Sequence, residues 1–158
     1  MYKRAYVVIL ILVAIILIEG CINPRPLPEP TPTPKTISLE ARERNLEGIR
    51  LEAQGRYEEA IEAFSRATAL EPDFYEAWLN NATTLEKAER YTEALASIDR
   101  AIELRPDLLY HWIQKGNLLM ALERYDEAVK AFDRVLSADP ANEEVKQLRA
   151  LALSKMQR

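Results

Sequence analysis

Few residues in this chain are of a kind that does chemistry, and their isolation limits what they can do. His111 is the single histidine and Cys21 the single cysteine. A zinc site needs several nitrogen, sulfur or carboxylate ligands at matched spacing, and a nucleophilic dyad needs a base beside its nucleophile. His111 has neither arrangement around it, and next to Trp112 it reads as a packing residue. One cysteine closes no internal disulfide, so Cys21 calls for another use of a thiol. Four glycines are too few and too scattered to form a phosphate-cradling loop. The triplet Asn81, Ala82, Thr83 fits the N-glycosylation pattern, but it lies within a helical pattern, whereas acceptors belong on accessible loops. No enzymatic activity, metal or cofactor is expected.

The setting of Cys21 supplies its use. Lys3 and Arg4 precede a run from Ala5 to Ile18 without a charged side chain, and Glu19 ends it. A bilayer core needs about 20 helical residues, so this run is short for a span and matches the apolar region of a signal peptide. The following Ile18, Glu19, Gly20, Cys21 resembles a lipoprotein signal motif, with a carboxylate at Glu19 where the motif has a small or apolar residue. The resemblance implies lipidation of Cys21, whose thiol is the nucleophile; two acyl chains at about 0.8 kcal/mol per buried methylene would anchor stably. The other reading is an uncleaved anchor in which Cys21 is incidental. Both attach the chain to a membrane, facing outside the cytoplasm at a cell surface or in a periplasm. The signal and linker style is similar to that of archaeal or bacterial proteins.

Residues 23–36 contain six prolines in fourteen positions. Proline fixes φ and donates no amide proton, so this segment reads as a polyproline II spacer of roughly 40 Å. A PxxP ligand is the less favoured reading of such a tract beside an anchor. The expected domains are therefore 1–20 as signal peptide or membrane anchor, 21–36 as lipidated cysteine and linker, and 37–158 as the folded domain.

That domain repeats itself. Tyr57, Tyr91 and Tyr125 are 34 residues apart, as are Ala60, Ala94 and Ala128, and Pro72, Pro106 and Pro140. Gly48, Ala82 and Gly116 fall at the same interval, followed by Leu51, Leu85 and Leu119, and Trp78 and Trp112 open the second and third units. This pattern resembles the tetratricopeptide repeat (TPR) family over residues 41–142. The resemblance implies an all-α fold: an α-solenoid of three helix pairs, at 41–74, 75–108 and 109–142. A C-terminal helix at 143–158 is expected to cap the array, beginning at Asn142. Within each pair, the small Gly48, Ala82 or Gly116 is expected to let the second helix approach through Ala60, Ala94 or Ala128. Phe64, Ile98 and Phe132 give that helix its apolar stripe. Asp73 and Asp107 are placed to cap the next helices. Glu47, Asn81 and Lys115 stand where the family has leucine, and Arg44 where it has tryptophan, which suggests looser packing along that face.

The family resemblance also implies a binding site. The first helix of each repeat lines a concave groove, and matching positions here are Asn45, Ile49 and Glu52; Leu79, Thr83 and Glu86; and Tyr110, Ile113, Asn117 and Met120. Exposed apolar members of such a stripe mark an interaction surface. The carboxylate clamp of chaperone-binding TPR domains is not reproduced: only Asn80 matches, while its lysine and arginine positions hold Asn45, Tyr110 and Gln114. The net charge of −4 divides into +2 for the first 36 residues and −6 for the rest, which disfavours nucleic acid. The expected function is a membrane-anchored TPR adaptor binding a protein or peptide partner in its groove. The alternatives are an envelope assembly lipoprotein acting by homo-oligomeric self-association or convex-face contacts, and an accessory subunit of an enzyme.

Overall fold

The computed structural model describes residues 36–157; the expected signal segment, Cys21 and most of the proline-rich linker lie outside the described residues. Seven helices and no strand are found among the described residues: α1 Leu39–Ala53, α2 Tyr57–Leu70, α3 Tyr75–Lys87, α4 Tyr91–Leu104, α5 Leu109–Ala121, α6 Tyr125–Ala138 and α7 Glu143–Met156. None of these is long and apolar enough to cross a membrane. Consecutive helices pack on one another, and α1 also meets α3. This is the expected α-solenoid of three helix pairs, with α7 closing the end.

Short sequence devices set the helix boundaries. Ser38 caps α1 by accepting from the Ala41 amide at 3.3 Å, and Asn142 caps α7 by accepting from Val145 at 3.1 Å. The two helices of each pair are joined by a tight three-residue turn whose middle residue is left-handed and recurs at the repeat interval. Gly55 (φ 74°), Glu89 (φ 59°) and Glu123 (φ 59°) are left-handed there. The amide that follows each reaches back to a carbonyl five residues earlier, as in Arg56 to Leu51 at 3.0 Å and Arg90 to Leu85 at 2.9 Å. The next arginine opens the second helix and pairs with a glutamate three residues on: Arg56 with Glu59, Arg90 with Glu93 and Arg124 with Glu127. Hydrogen bonding to these guanidiniums holds all three carboxyls below their ordinary range.

Asp73 and Asp107 do not cap as expected. Helices α3 and α5 start later, with Phe74 and Leu108 at the cap position and no side-chain cap bond. Asp107 instead accepts from Arg105 at 3.2 Å, and Asp73 lies 3.9 Å from Arg100. The tryptophans help to fix these junctions. Trp78 donates its indole N–H to the Pro72 carbonyl at 2.9 Å, and Trp112 to Pro106 at 3.4 Å. Each ring thus ties the opening of one repeat to the close of the previous one.

Inside the pairs, Phe64, Ile98 and Phe132 are fully buried, together with Ala60, Ala94 and Ala128. The small residues serve these large side chains rather than the alanine methyls. A Cβ on Gly48 would fall 2.6 Å from Cε1 of Phe64, and the atoms nearest to Gly116 are those of the Phe132 ring. The polar positions also differ from expectation. Asn81 is buried and donates to Ser97 Oγ at 3.2 Å, while Lys115 pairs with Asp99 at 2.7 Å across α5 and α4. Only Glu47 points to solvent, where it meets Arg44 at 3.0 Å. The face is therefore closed by polar pairs in the second and third repeats rather than loosened.

The beginning of the array is marked by charge. At two columns of the repeat the first helices bury Ala77 and Thr84, then His111 and Leu118, then Val145 and Ala152. The same columns in α1 hold exposed Glu43 and Arg50. Nothing apolar is presented there for a preceding repeat.

Candidate functional site: the inner face

The first helices of the repeats, α1, α3 and α5, together with α7, occupy equivalent places in the array. Polar ties between them build one surface. Asn80 donates to Asn45 Oδ1 at 3.0 Å, and Lys87 pairs with Glu52 at 2.7 Å, both joining α1 to α3. Between α3 and α5, the Tyr75 hydroxyl hydrogen-bonds His111 Nε2. His111 is 3% exposed, its Nδ1 lies 3.3 Å from Gln114 Oε1, and its ring stands edge-on to Tyr75. Burial raises the Tyr75 phenol above its ordinary pKa, against an opposing effect of Arg105. His111 is thus a packing and cross-repeat hydrogen-bonding group.

Nine of the ten groove positions fall into three kinds. Asn45 is buried and its oxygen is already engaged by Asn80, so it braces the surface. Glu52 is likewise engaged; its hydrogen bond is the main reason that the Lys87 ammonium titrates above its ordinary value. Thr83 donates its hydroxyl to the Leu79 carbonyl at 3.1 Å and is half-buried. Among the rest, Leu79, Ile113 and Met120 are half-buried against the core cluster. Ile49 and Tyr110 are 40% and 62% exposed, and Asn117 is exposed beside them. Tyr110 leans edge-on against His111 with ring centroids 5.7 Å apart, so a large exposed ring rests on a rigid support.

Glu86 stands apart. It is half-buried on α3, and its carboxylate forms no hydrogen bond or ion pair among the described residues. Burial alone pushes its carboxyl above the ordinary range.

Two further inner-face residues complete the stripe. Leu46, 51% exposed, shares a column of the repeat with Asn80 and Gln114, and Leu151, 47% exposed, shares one with Ile49, Thr83 and Asn117. Their signal was available: continuing the 34-residue interval into α7 arrives at Leu151. Of the large apolar side chains exposed among the described residues, Leu46, Ile49, Tyr110 and Leu151 share this surface.

The remaining chemistry is sparse. Among the described residues no group of histidine, cysteine and carboxylate side chains could hold a metal. A cleft between α1 and α2 is lined by Glu47, Arg56, Glu59, Glu62 and Arg66, but its cations pair with its own carboxylates. The buried amide of Asn81 sits in mid-helix, a poor place for a glycan.

Comparison with known proteins places this geometry. Two family models, both described as tetratricopeptide repeat, match residues 45–108 and 87–152. No curated protein matches the chain. Among solved structures, the first TPR of Spaghetti (RPAP3) bound to the HSP90 peptide SRMEEVD is 21% identical with a TM-score of 0.68, covering 80% of this chain and 100% of that one. The TPR2B domain of yeast Sti1, in a complex with an Hsp70 peptide, is 25% identical with a TM-score of 0.63, over 77% and 100%. MamA from Desulfovibrio magneticus RS-1 is 22% identical with a TM-score of 0.68, over 76% and 68%. With a 34-residue interval, seven helices in the matching arrangement and family models that together run from 45 to 152, the chain belongs to the tetratricopeptide repeat family.

Proposed function

We propose that this chain is a membrane-anchored, non-enzymatic adaptor, displayed outside the cytoplasm on its proline-rich stalk, that docks a protein segment on the inner face. The observation that carries the docking role is the stripe of exposed apolar side chains, Ile49 and Tyr110 with Leu46 and Leu151, on helices braced by their own polar ties. Solvent-exposed apolar side chains grouped on a rigid surface gain free energy when a partner covers them. Peptide complexes of the Spaghetti and Sti1 domains lend support by likeness of fold. The anchor rests on the sequence from Ile18 to Cys21.

Crosslinking in native membranes, followed by identification of captured proteins, tests the docking role. Replacing Ile49 and Tyr110 together by glutamate, both exposed, should abolish capture of a groove partner while leaving the thermal unfolding curve in place. Capture that survives the double substitution would favour convex-face contacts or self-association. Intact mass of membrane-extracted protein tests the anchor: a diacylglyceryl-modified chain beginning at Cys21 is expected, and an unmodified chain beginning at Met1 would exclude lipidation.

A further inference from the structure

We propose that the inner face selects a peptide segment that carries a lysine or arginine side chain among apolar ones, with Glu86 receiving the cation; this rests on the docking role above. Around Glu86 the surface is built for such a segment. Its neighbours in the same column of the repeat are Glu52 on α1, already committed to Lys87, and Met120 on α5. Glu86 is therefore a free carboxylate between a closed ion pair and an apolar side chain. Its burial already costs free energy, since its carboxyl titrates high with nothing to compensate the charge. A partner's cation would remove that cost, whereas a partner's carboxylate or a purely apolar side chain would add to it.

The charges at the mouth of the groove agree. The column that contains Tyr110 holds Arg42, Glu76 and Glu144 in the other helices, all exposed. Carboxylates thus outnumber cations along the inner face, and Lys87 is spent on Glu52. An acidic peptide such as the SRMEEVD held by the Spaghetti domain would meet like charge here. The apolar requirement comes from Ile49 on α1, Tyr110 and Ile113 on α5 and Leu151 on α7, the first helices to either side of α3.

A random twelve-residue peptide display library provides the probe, selected on the full-length chain in detergent and on its Glu86→Gln and Ile49→Glu/Tyr110→Glu forms, the latter two side chains being exposed. Peptides captured by the parent and lost with the double substitution are groove ligands. These should be enriched for lysine or arginine at one position, and synthetic copies should lose roughly tenfold in affinity on Glu86→Gln or on exchange of that cation for norleucine. Groove ligands without a preferred cation, or with undiminished affinity for Glu86→Gln, would overturn the inference and leave the docking role standing. Recovery only of peptides indifferent to the double substitution, or of none, would overturn both.

Discussion

The ring of Phe64 lies against the bare backbone of Gly48, so close that a methyl group on Gly48 would stand 2.6 Å from Cε1. The third repeat forms the same pair with Gly116 and Phe132, whereas the second holds Ala82 and Ile98 at these positions, all buried. Large meets absent, and medium meets small. The volumes at the two positions compensate within each pair.

Gly48→Ala should therefore destabilise the fold by about 1–3 kcal/mol through overpacking, despite the better helix propensity of alanine. Adding Phe64→Ile should recover most of the loss, because the pair then matches the second repeat. A double-mutant cycle by urea unfolding checks this, and simple additivity would refute the pairing.

The left-handed turn positions make a prediction of opposite sign. Gly55 accommodates φ 74° without a side chain, while Glu89 and Glu123 adopt φ 59° with one. Replacing either glutamate by glycine should raise stability by up to about 1 kcal/mol, and Gly55→Ala should lower it by a similar amount. Thermal unfolding of the three single variants measures both directions.

Tyr75 and His111 join two repeats through one partly buried hydrogen bond. Tyr75→Phe should cost about 0.5–1.5 kcal/mol, the usual net worth of such a bond. The loss should be smaller when His111 is already replaced by phenylalanine. Hydrogen exchange should show the change concentrated at the contact of α3 with α5.

Glu86 gives a pH signature. Its folded carboxyl titrates above the unfolded one because burial disfavours the charge. The folded state then holds the proton more tightly, so this group's contribution to stability falls as pH rises from the ordinary carboxylate range through the raised value. Glu86→Gln should be more stable than the parent at neutral pH, with the advantage vanishing in acid. Urea midpoints measured at several pH values decide it, and an advantage constant with pH would count against the assignment.

The helix count, the order of the pairs and the capping helix were legible in the sequence because the repeat occurs three times without a gap, which fixes each column independently. What escaped was information held in pairs rather than columns. Asn81 and Lys115 look like flaws in an apolar face until Ser97 and Asp99 are seen opposite them. Asp73 and Asp107 follow the helix-ending prolines as capping residues would, yet the chain spends one more residue in the turn before α3 and α5 begin. Among groove positions, residue type alone could not separate Asn45 and Glu52, which hold the surface together, from Glu86, which has no partner on it. Leu151 escaped because α7 reads as a terminator, although it continues the inner columns.

The exposed Glu43 and Arg50 on α1, the first helix of the array, bear on how this protein could be lengthened. A repeat added upstream would have to bury both charges, so growth by duplication is blocked at that end unless those two residues change first. The inner face then has its upstream limit at α1, and the part described runs from α1 to α7. Four helices at about 8–10 Å spacing give roughly 25–30 Å from end to end, enough for about eight residues of extended chain.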